Sequence, residues 1–179
     1  HPEEASVTHL SLDLIVDFGK KILSAKATLN IKAAGDAKEI ILDSRDLNIE
    51  KVMADDVVTT FQTGDSTPYM GKAIKIPINK NTKSVTVFYS TSPGAAALQW
   101  LSPEQTAGGK DPFLFTQSQA ILARTWIPLQ DSPGIRFTYD AVIHIPENLL
   151  AVMSAENPME KNSTGVYKFN MPQPVPAYL

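Results

Sequence analysis

The sequence predicts an all-β fold, an antiparallel β-sandwich or a related two-sheet fold with little helix, and three observations support this class. Apolar and polar residues alternate with a period of two along most of the chain, as in strands with one buried and one solvated face. Short strand candidates follow one another with turn residues between them. The 179 residues are 43% hydrophobic and 20% charged, which is enough for one substantial core.

The chain begins with a predicted hairpin. Apolar residues alternate over Leu10–Val16 and again over Leu23–Ile31, so both segments are predicted to be strands. The residues between them, Asp17–Lys20, include Gly19, which can take a positive φ. We expect them to form the turn.

Further strands are predicted along the rest of the chain, and helix signals are weak. Pro77 removes a backbone donor from one candidate, which is therefore expected at a sheet edge or a bulge. Ser118–Arg124 could form one or two helical turns, which Pro128 would end. The strand candidates are Glu39–Asp43, Asn48–Met53, Val57–Gln62, Ala73–Ile78, Ser84–Ser90, Ile135–Ile145, Leu149–Ala155 and Val166–Asn170.

Two segments differ from this pattern. Pro93–Pro112 is rich in Ala, Gly and Pro, carries Trp100, and is predicted to be a long ordered loop. The tail after Met171 has proline at every second position, which favours extended backbone. We therefore predict one domain over residues 1–171, with residues 172–179 as the start of a linker.

Composition excludes several classes of function. The net charge of −3 gives no electrostatic reason for binding nucleic acid or an acidic membrane surface. No apolar run approaches the ~20 residues that span a bilayer. The absence of cysteine removes disulfides, thiolate metal sites and a cysteine nucleophile, and it is compatible with a cytoplasmic or a periplasmic protein.

The sequence contains no recognisable catalytic or metal-binding constellation. His1, His9 and His144 lack ligand spacing, and His9 and His144 fall on the solvated faces of predicted strands. No H-E-x-x-H, G-x-S-x-G or phosphate-binding glycine loop occurs. We predict no metal ligand and no catalytic residue in this chain.

The segment Phe113–Ala141 carries the most specific pattern. In extended backbone, Gln117 and Gln119 face the same side, where a neighbouring loop or a ligand backbone could satisfy their amides. Arg124 and Asp131 flank a proline bend, where they could pair and brace the loop. Trp100 and Trp126 are predicted to be packing anchors, with a sugar-stacking platform as the alternative.

Two stretches, SPGAAALQWLSPEQTAGG and PFLFTQSQAILARTWIPLQDSPGIRFTYDAVIHIP, closely resemble the N-terminal domain of the gluzincin aminopeptidases. The similarity is greatest to the branch that contains leukotriene hydrolase and the bacterial cold-adapted aminopeptidases. It extends from VTHLSLDLIVDF to PVPAYL and covers nearly the whole chain. The resemblance implies a saddle-shaped β-sandwich that packs against a thermolysin-like catalytic domain of the same protein.

In that family the zinc ligands and the G-x-M-E-N exopeptidase loop lie in the catalytic domain. Met159-Glu160 is not that loop, because neither the glycine nor the asparagine is present. The resemblance therefore implies no cofactor and no hydrolysis in this chain, with zinc in the parent enzyme.

The family's TQxQA loop implies a contribution to substrate binding. On that pattern Gln119 would hold the free amino end of a peptide substrate, and Gln117 and Ala120 would line the first side-chain pocket. The surface near Phe113–Ala120 and the proline-rich tail would face the catalytic domain, and two isolated copies could self-associate through it. The alternative is a free-standing binding module for protein or carbohydrate that uses the Trp100 loop.

Overall fold

A computed structural model describes all residues, 1–179, and confirms the all-β class, with 49% of the residues in strands and 3% in helix. None of the helical segments could cross a membrane. The strands are β1 (Ala5–Asp17), β2 (Ile22–Ala33), β3 (Glu39–Ser44), β4 (Asn48–Ala54), β5 (Val57–Thr59), β6 (Gln62–Thr63), β7 (Lys72–Pro77), β8 (Ser84–Ser90), β9 (Leu98–Leu101), β10 (Phe113–Thr116), β11 (Arg136–His144) and β12 (Val166–Pro176). Two 3₁₀ turns occupy Pro103–Gln105 and Ala123–Thr125.

The largest sheet has seven strands in the order β12-β11-β1-β2-β8-β4-β5. All of its neighbouring pairs are antiparallel except β1 and β11, which run parallel with Leu10 opposite Tyr139. The purely antiparallel prediction is therefore wrong for this one pair. Hydrophobic alternation is the same in parallel and antiparallel strands, so it cannot reveal the direction in which two distant segments meet.

Two smaller sheets complete the fold, one with the order β3-β7-β6 and one a ribbon of β9 and β10. Inward-facing residues of the large sheet and of the three-stranded sheet belong to one core cluster that includes Leu12, Leu29, Ile40, Ile74 and Val87. The large sheet and the three-stranded sheet thus form two packed layers, and residues 117–135 connect β10 to β11 beside them.

β1 has a bulge between Val7 and His9, and just before it a side chain from a distant loop satisfies backbone groups of the strand. The buried Gln130 accepts a hydrogen bond from the Val7 N–H at 2.9 Å and donates one to the Ala5 carbonyl at 2.9 Å. The amide of Gln130 thus takes the place of a neighbouring strand and ties the segment before β11 to the first strand.

The loops differ from the predictions in identifiable ways. The turn after β1 forms as expected, but Lys21 takes the positive φ of 55° and Gly19 does not. Pro77 is the last residue of β7, which is the central strand of its sheet, so the lost donor falls at the strand end. Leu149–Ala155 forms no strand, because Asn157 bonds both the N–H and the C=O of Met153 and competes with strand pairing.

Two predicted loop regions contain strands. The segment 93–112 includes β9, which pairs with β10 and places Trp100 opposite Leu114. Residues 172–176, which the sequence places at the start of a linker, form the second half of the edge strand β12.

Candidate functional site

The loop that carries both glutamines leaves the end of β10 and is held by backbone hydrogen bonds. The Gln117 N–H donates to the Ala97 carbonyl at 2.8 Å, and the Leu122 N–H donates to the Ser118 carbonyl at 2.8 Å. The peptide bond between Gln119 and Ala120 is cis. This loop, residues 117–122, is called the glutamine loop below.

Within the glutamine loop, one buried residue lies among exposed ones. Ser118 is buried, and its Oγ accepts a hydrogen bond from the Trp126 indole N–H at 3.0 Å. Gln117 and Gln119 on either side are exposed, as is Ala120. The Gln117 side chain accepts a hydrogen bond from the Gln119 N–H at 3.0 Å, so it shapes the loop, whereas the Gln119 amide side chain is free to meet a ligand.

A buried ionic network fixes the chain immediately after the glutamine loop. The Arg124 Nε donates to Asp131 Oδ2 at 3.1 Å, and only 3% and 2% of the two side chains are exposed. The same guanidinium donates to the carbonyls of Met70 and Asp131 at 3.0 and 2.9 Å. The Asp131 N–H donates to Asp43 Oδ2 at 2.9 Å. The predicted pairing of Arg124 with Asp131 is confirmed, and it joins β3 and the β6–β7 turn to the site.

The second carboxyl of this network sits in a less favourable environment. Partial burial raises the pKa of Asp43 above its ordinary value, although the nearby Arg124 guanidinium, 3.5 Å from Asp43 Oδ1, acts to lower it. Desolvation disfavours the charged carboxylate more than the guanidinium favours it here. Asp131, which is bonded directly to Arg124, is the principal counter-ion of the pair.

Beside the glutamine loop lies an open apolar groove of about 970 Å³. Its floor is the inner face of the large sheet, including Leu12 and Phe137, and its wall includes Gln117 and Ser118. Gln119 and Ala120 do not line it. The rim exposes large apolar side chains, namely Phe113 at 52%, Phe115 at 44%, Leu150 at 38%, Val152 at 64% and Leu179 at 59%.

Both tryptophans pack against the core and do not form an open platform. The Trp100 ring meets the Phe18 ring edge to face, with centroids 5.5 Å apart. This arrangement confirms the prediction that Trp100 and Trp126 are packing anchors.

The histidines are engaged in local hydrogen bonds on the outer face of the large sheet. His9 contacts Asp140 at 2.7 Å, and His144 contacts Asp13 at 2.9 Å, across the β1–β11 pair. His1 lies near Glu3 and Glu4 at the exposed start of the chain. Exposed acidic groups commonly lie together in this way without a metal.

Comparisons with known proteins define the class to which this fold belongs. Residues 6–179 match the model of the peptidase M1 N-terminal domain, so the chain belongs to that family. It is 35% identical to leukotriene A-4 hydrolase of Xenopus laevis over 99% of this chain and 31% of that protein. It is also 35% identical to leucine aminopeptidase 2 of Yarrowia lipolytica over 99% of this chain and 28% of that protein.

Solved structures give the same result. Yeast LTA4 hydrolase in complex with bestatin matches with a TM-score of 0.88 and 31% identity, over 99% of this chain and 28% of that chain. An M1 zinc metallopeptidase from Deinococcus radiodurans, at 19% identity and a TM-score of 0.76, shares the fold. This chain therefore spans less than a third of the length of the curated relatives that it matches.

The sequence predicted the Arg124–Asp131 pair and the packing of the tryptophans, but it did not reveal the residues that connect these groups to the rest of the fold. The Gln130 amide and the Met70 carbonyl make contacts across 125 and 54 residues of sequence. No local pattern marks such pairings. The sequence offers one indication that Gln130 is buried, which is its position between the apolar segment 127–129 and Asp131, a residue that is itself buried in the structure.

Proposed function

We propose that this chain is the non-catalytic N-terminal domain of a zinc aminopeptidase, which removes N-terminal residues from peptides. The domain packs on a catalytic domain of the same protein and presents the glutamine loop to the amino end of the substrate. The observation that carries the proposal is the exposed Gln119 amide, which has no hydrogen-bond partner in the chain. It lies on a loop that is held by the Trp126–Ser118 hydrogen bond and followed by the buried Arg124–Asp131 ion pair. Family membership supplies the reaction class.

The chemistry of an amide suits this role. The Gln119 carbonyl oxygen can accept a hydrogen bond from the substrate ammonium without bringing a further negative charge into the cleft. A carboxylate at this position would bind the ammonium more strongly, but it would also repel neighbouring carboxylates and raise their pKa values. Gln117 supports the loop through its hydrogen bond to the Gln119 N–H.

The apolar rim supports the second part of the proposal. Phe113, Phe115 and Val152 are large, adjacent to one groove and between 44% and 64% exposed. Contiguous apolar surface of this kind marks an interaction site. We expect the catalytic domain to cover this rim, and the isolated chain to self-associate through it at high concentration.

The test uses the full-length protein with Gln119→Ala, Gln119→Glu and the control Gln62→Ala, an exposed glutamine on β6. Losing a hydrogen bond to a charged group is expected to raise KM for a peptide substrate by about 10-fold or more, with a smaller change in kcat. Gln62→Ala should leave both constants unchanged. Equal kinetics for wild type and Gln119→Ala would contradict the substrate role.

The isolated chain provides the complementary test. Metal analysis should find no stoichiometric zinc, and no peptidase activity should be detected. Tight zinc binding by the chain would overturn the proposal. The other candidate, a free-standing carbohydrate- or protein-binding module, loses support because its expected contact residue, Trp100, is packed against Phe18.

A further inference from the structure

The turn between β6 and β7 presents two large apolar side chains at its tip. Tyr69 is 77% exposed and Met70 is 51% exposed. Neither residue lines the apolar groove, and the Tyr69 ring has no aromatic partner and its hydroxyl no hydrogen bond within the chain. An exposed Tyr on an ordinary loop needs no explanation, but the backbone of this turn is not ordinary.

The backbone at Tyr69 is in a rare conformation. The Met70 N–H donates to the Pro68 carbonyl at 2.8 Å, which closes a three-residue γ-turn around Tyr69. The φ of Tyr69 is +67°, so this is the strained, less common form of the γ-turn. A left-handed conformation is uncommon for a bulky residue, since its Cβ crowds the backbone. Glycine would adopt it without that penalty.

Three anchors hold the strained turn in place. Thr67 and Gly71 exchange backbone hydrogen bonds at 2.9 and 3.0 Å. Gly71 lies so close to the Ser44 carbonyl oxygen that a Cβ atom there would overlap it. The buried Arg124 guanidinium donates to the Met70 carbonyl at 3.0 Å. Strained backbone persists when its surroundings over-determine it, and such sites cluster where proteins bind ligands or partners.

We propose that the turn 67–71 is a docking surface for the remainder of the longer polypeptide, with the Tyr69 ring as the anchor and Met70 beside it. This inference rests on the proposed function, because the partner is the catalytic part of the same protein. Aromatic rings are favoured anchors, since they bury much area and lose little side-chain entropy. Contacts inside this domain hold the backbone of the turn, but they leave the Tyr69 ring 77% exposed, whereas a partner that covers the ring would bury it.

Two further observations favour this occupant. Arg124 lies two residues after the glutamine loop and also donates to the Met70 carbonyl, so one buried guanidinium is bonded to the turn and anchors the chain beside the loop proposed to reach the substrate. The relatives also have more than two thirds of their length outside the matched region, so a large partner on the same polypeptide exists in them. A second copy of this chain is the competing occupant.

Hydroxyl-radical footprinting tests the proposal without a mutation. The oxidation rates of Tyr69 and Met70 are compared between the isolated chain and the full-length protein, with an added reference peptide to normalise dose. Several-fold slower oxidation in the full-length protein is expected. Equal rates would overturn the proposal. Protection in the isolated chain that grows with its concentration would assign the surface to a second copy and would equally overturn it.

Two substitutions test the strain directly. In the isolated chain, Tyr69→Gly should melt at a higher temperature than Tyr69→Ala, because only glycine relieves the left-handed φ. In the full-length protein, both variants should lower the first unfolding transition by more than they do in the isolated chain. Equal shifts in both contexts would mean that Tyr69 acts only within its own domain. If Gln119→Ala raises KM while Tyr69 is unprotected, this inference fails and the proposed function stands.

Discussion

Replacing Arg124 by Met tests the buried network most directly. The substitution keeps an unbranched apolar stem but removes the guanidinium that contacts Asp131, Met70 and Asp43. It leaves the Asp131 carboxylate, only 2% exposed, without its counter-ion. Breaking a buried pair in this way costs about 3–5 kcal/mol. For a chain of this length that corresponds to a melting temperature lower by about 6–20 °C.

The assay is urea unfolding of the isolated chain at pH 7, followed by tryptophan fluorescence and by circular dichroism, so that two-state behaviour is checked. Arg136→Met, at an exposed position on β11, is the matched control and should change the free energy of unfolding by no more than about 0.5 kcal/mol. The double variant Arg124→Met with Asp131→Leu should lose less than the sum of the single losses, because it no longer leaves the buried Asp131 carboxylate without its counter-ion. A loss for Arg124→Met no larger than for Arg136→Met would refute this account of the network.

Three further predictions address other parts of the structure. Burial raises the pKa of Asp43 above 3.8, so the folded chain holds this proton to a higher pH than the unfolded chain does. The stability of wild type should therefore fall relative to that of Asp43→Asn as the pH rises from 3.8 through the folded-state pKa. A difference in urea unfolding that does not change with pH would contradict this. Gly165→Ala places a Cβ against the Ile145 carbonyl oxygen at a φ of +66° and should cost more than about 2 kcal/mol in the same assay. Trp126→Phe leaves the buried Ser118 hydroxyl without its donor and should cost about 1–3 kcal/mol, with faster amide hydrogen exchange in the glutamine loop; unchanged exchange would contradict a bracing role.

Local patterns allowed much of the fold to be predicted, because strands with one buried face impose alternation on sequence. Leu10–Val16 and Leu23–Ile31 are examples that the structure confirms. The ribbon of β9 and β10 was not predicted, since each strand is four residues long and lies within or beside a segment rich in Gly, Ala and Pro. Short strands of this kind depend on their partner more than on their own pattern.

For the candidate site, the residue types could be predicted but not the contacts among them. The Arg124–Asp131 pair was predictable because the two residues lie seven positions apart around a bend. The hydrogen bond from Arg124 to the Met70 carbonyl could not be predicted, because it joins residues 54 positions apart. The strained backbone at Tyr69 could not be predicted either, because tyrosine has no preference for a positive φ.

The edge strand β12 limits how copies of this chain can associate. Pro172, Pro174 and Pro176 have no backbone N–H, and the pairing register between β12 and β11 shifts where two of these prolines lie. Along this second half of β12 the outer edge has few backbone donors, so it is a poor template for a strand from another molecule. A second copy that approached residues 172–176 would have to rely on contacts between side chains there, because backbone pairing lacks donors.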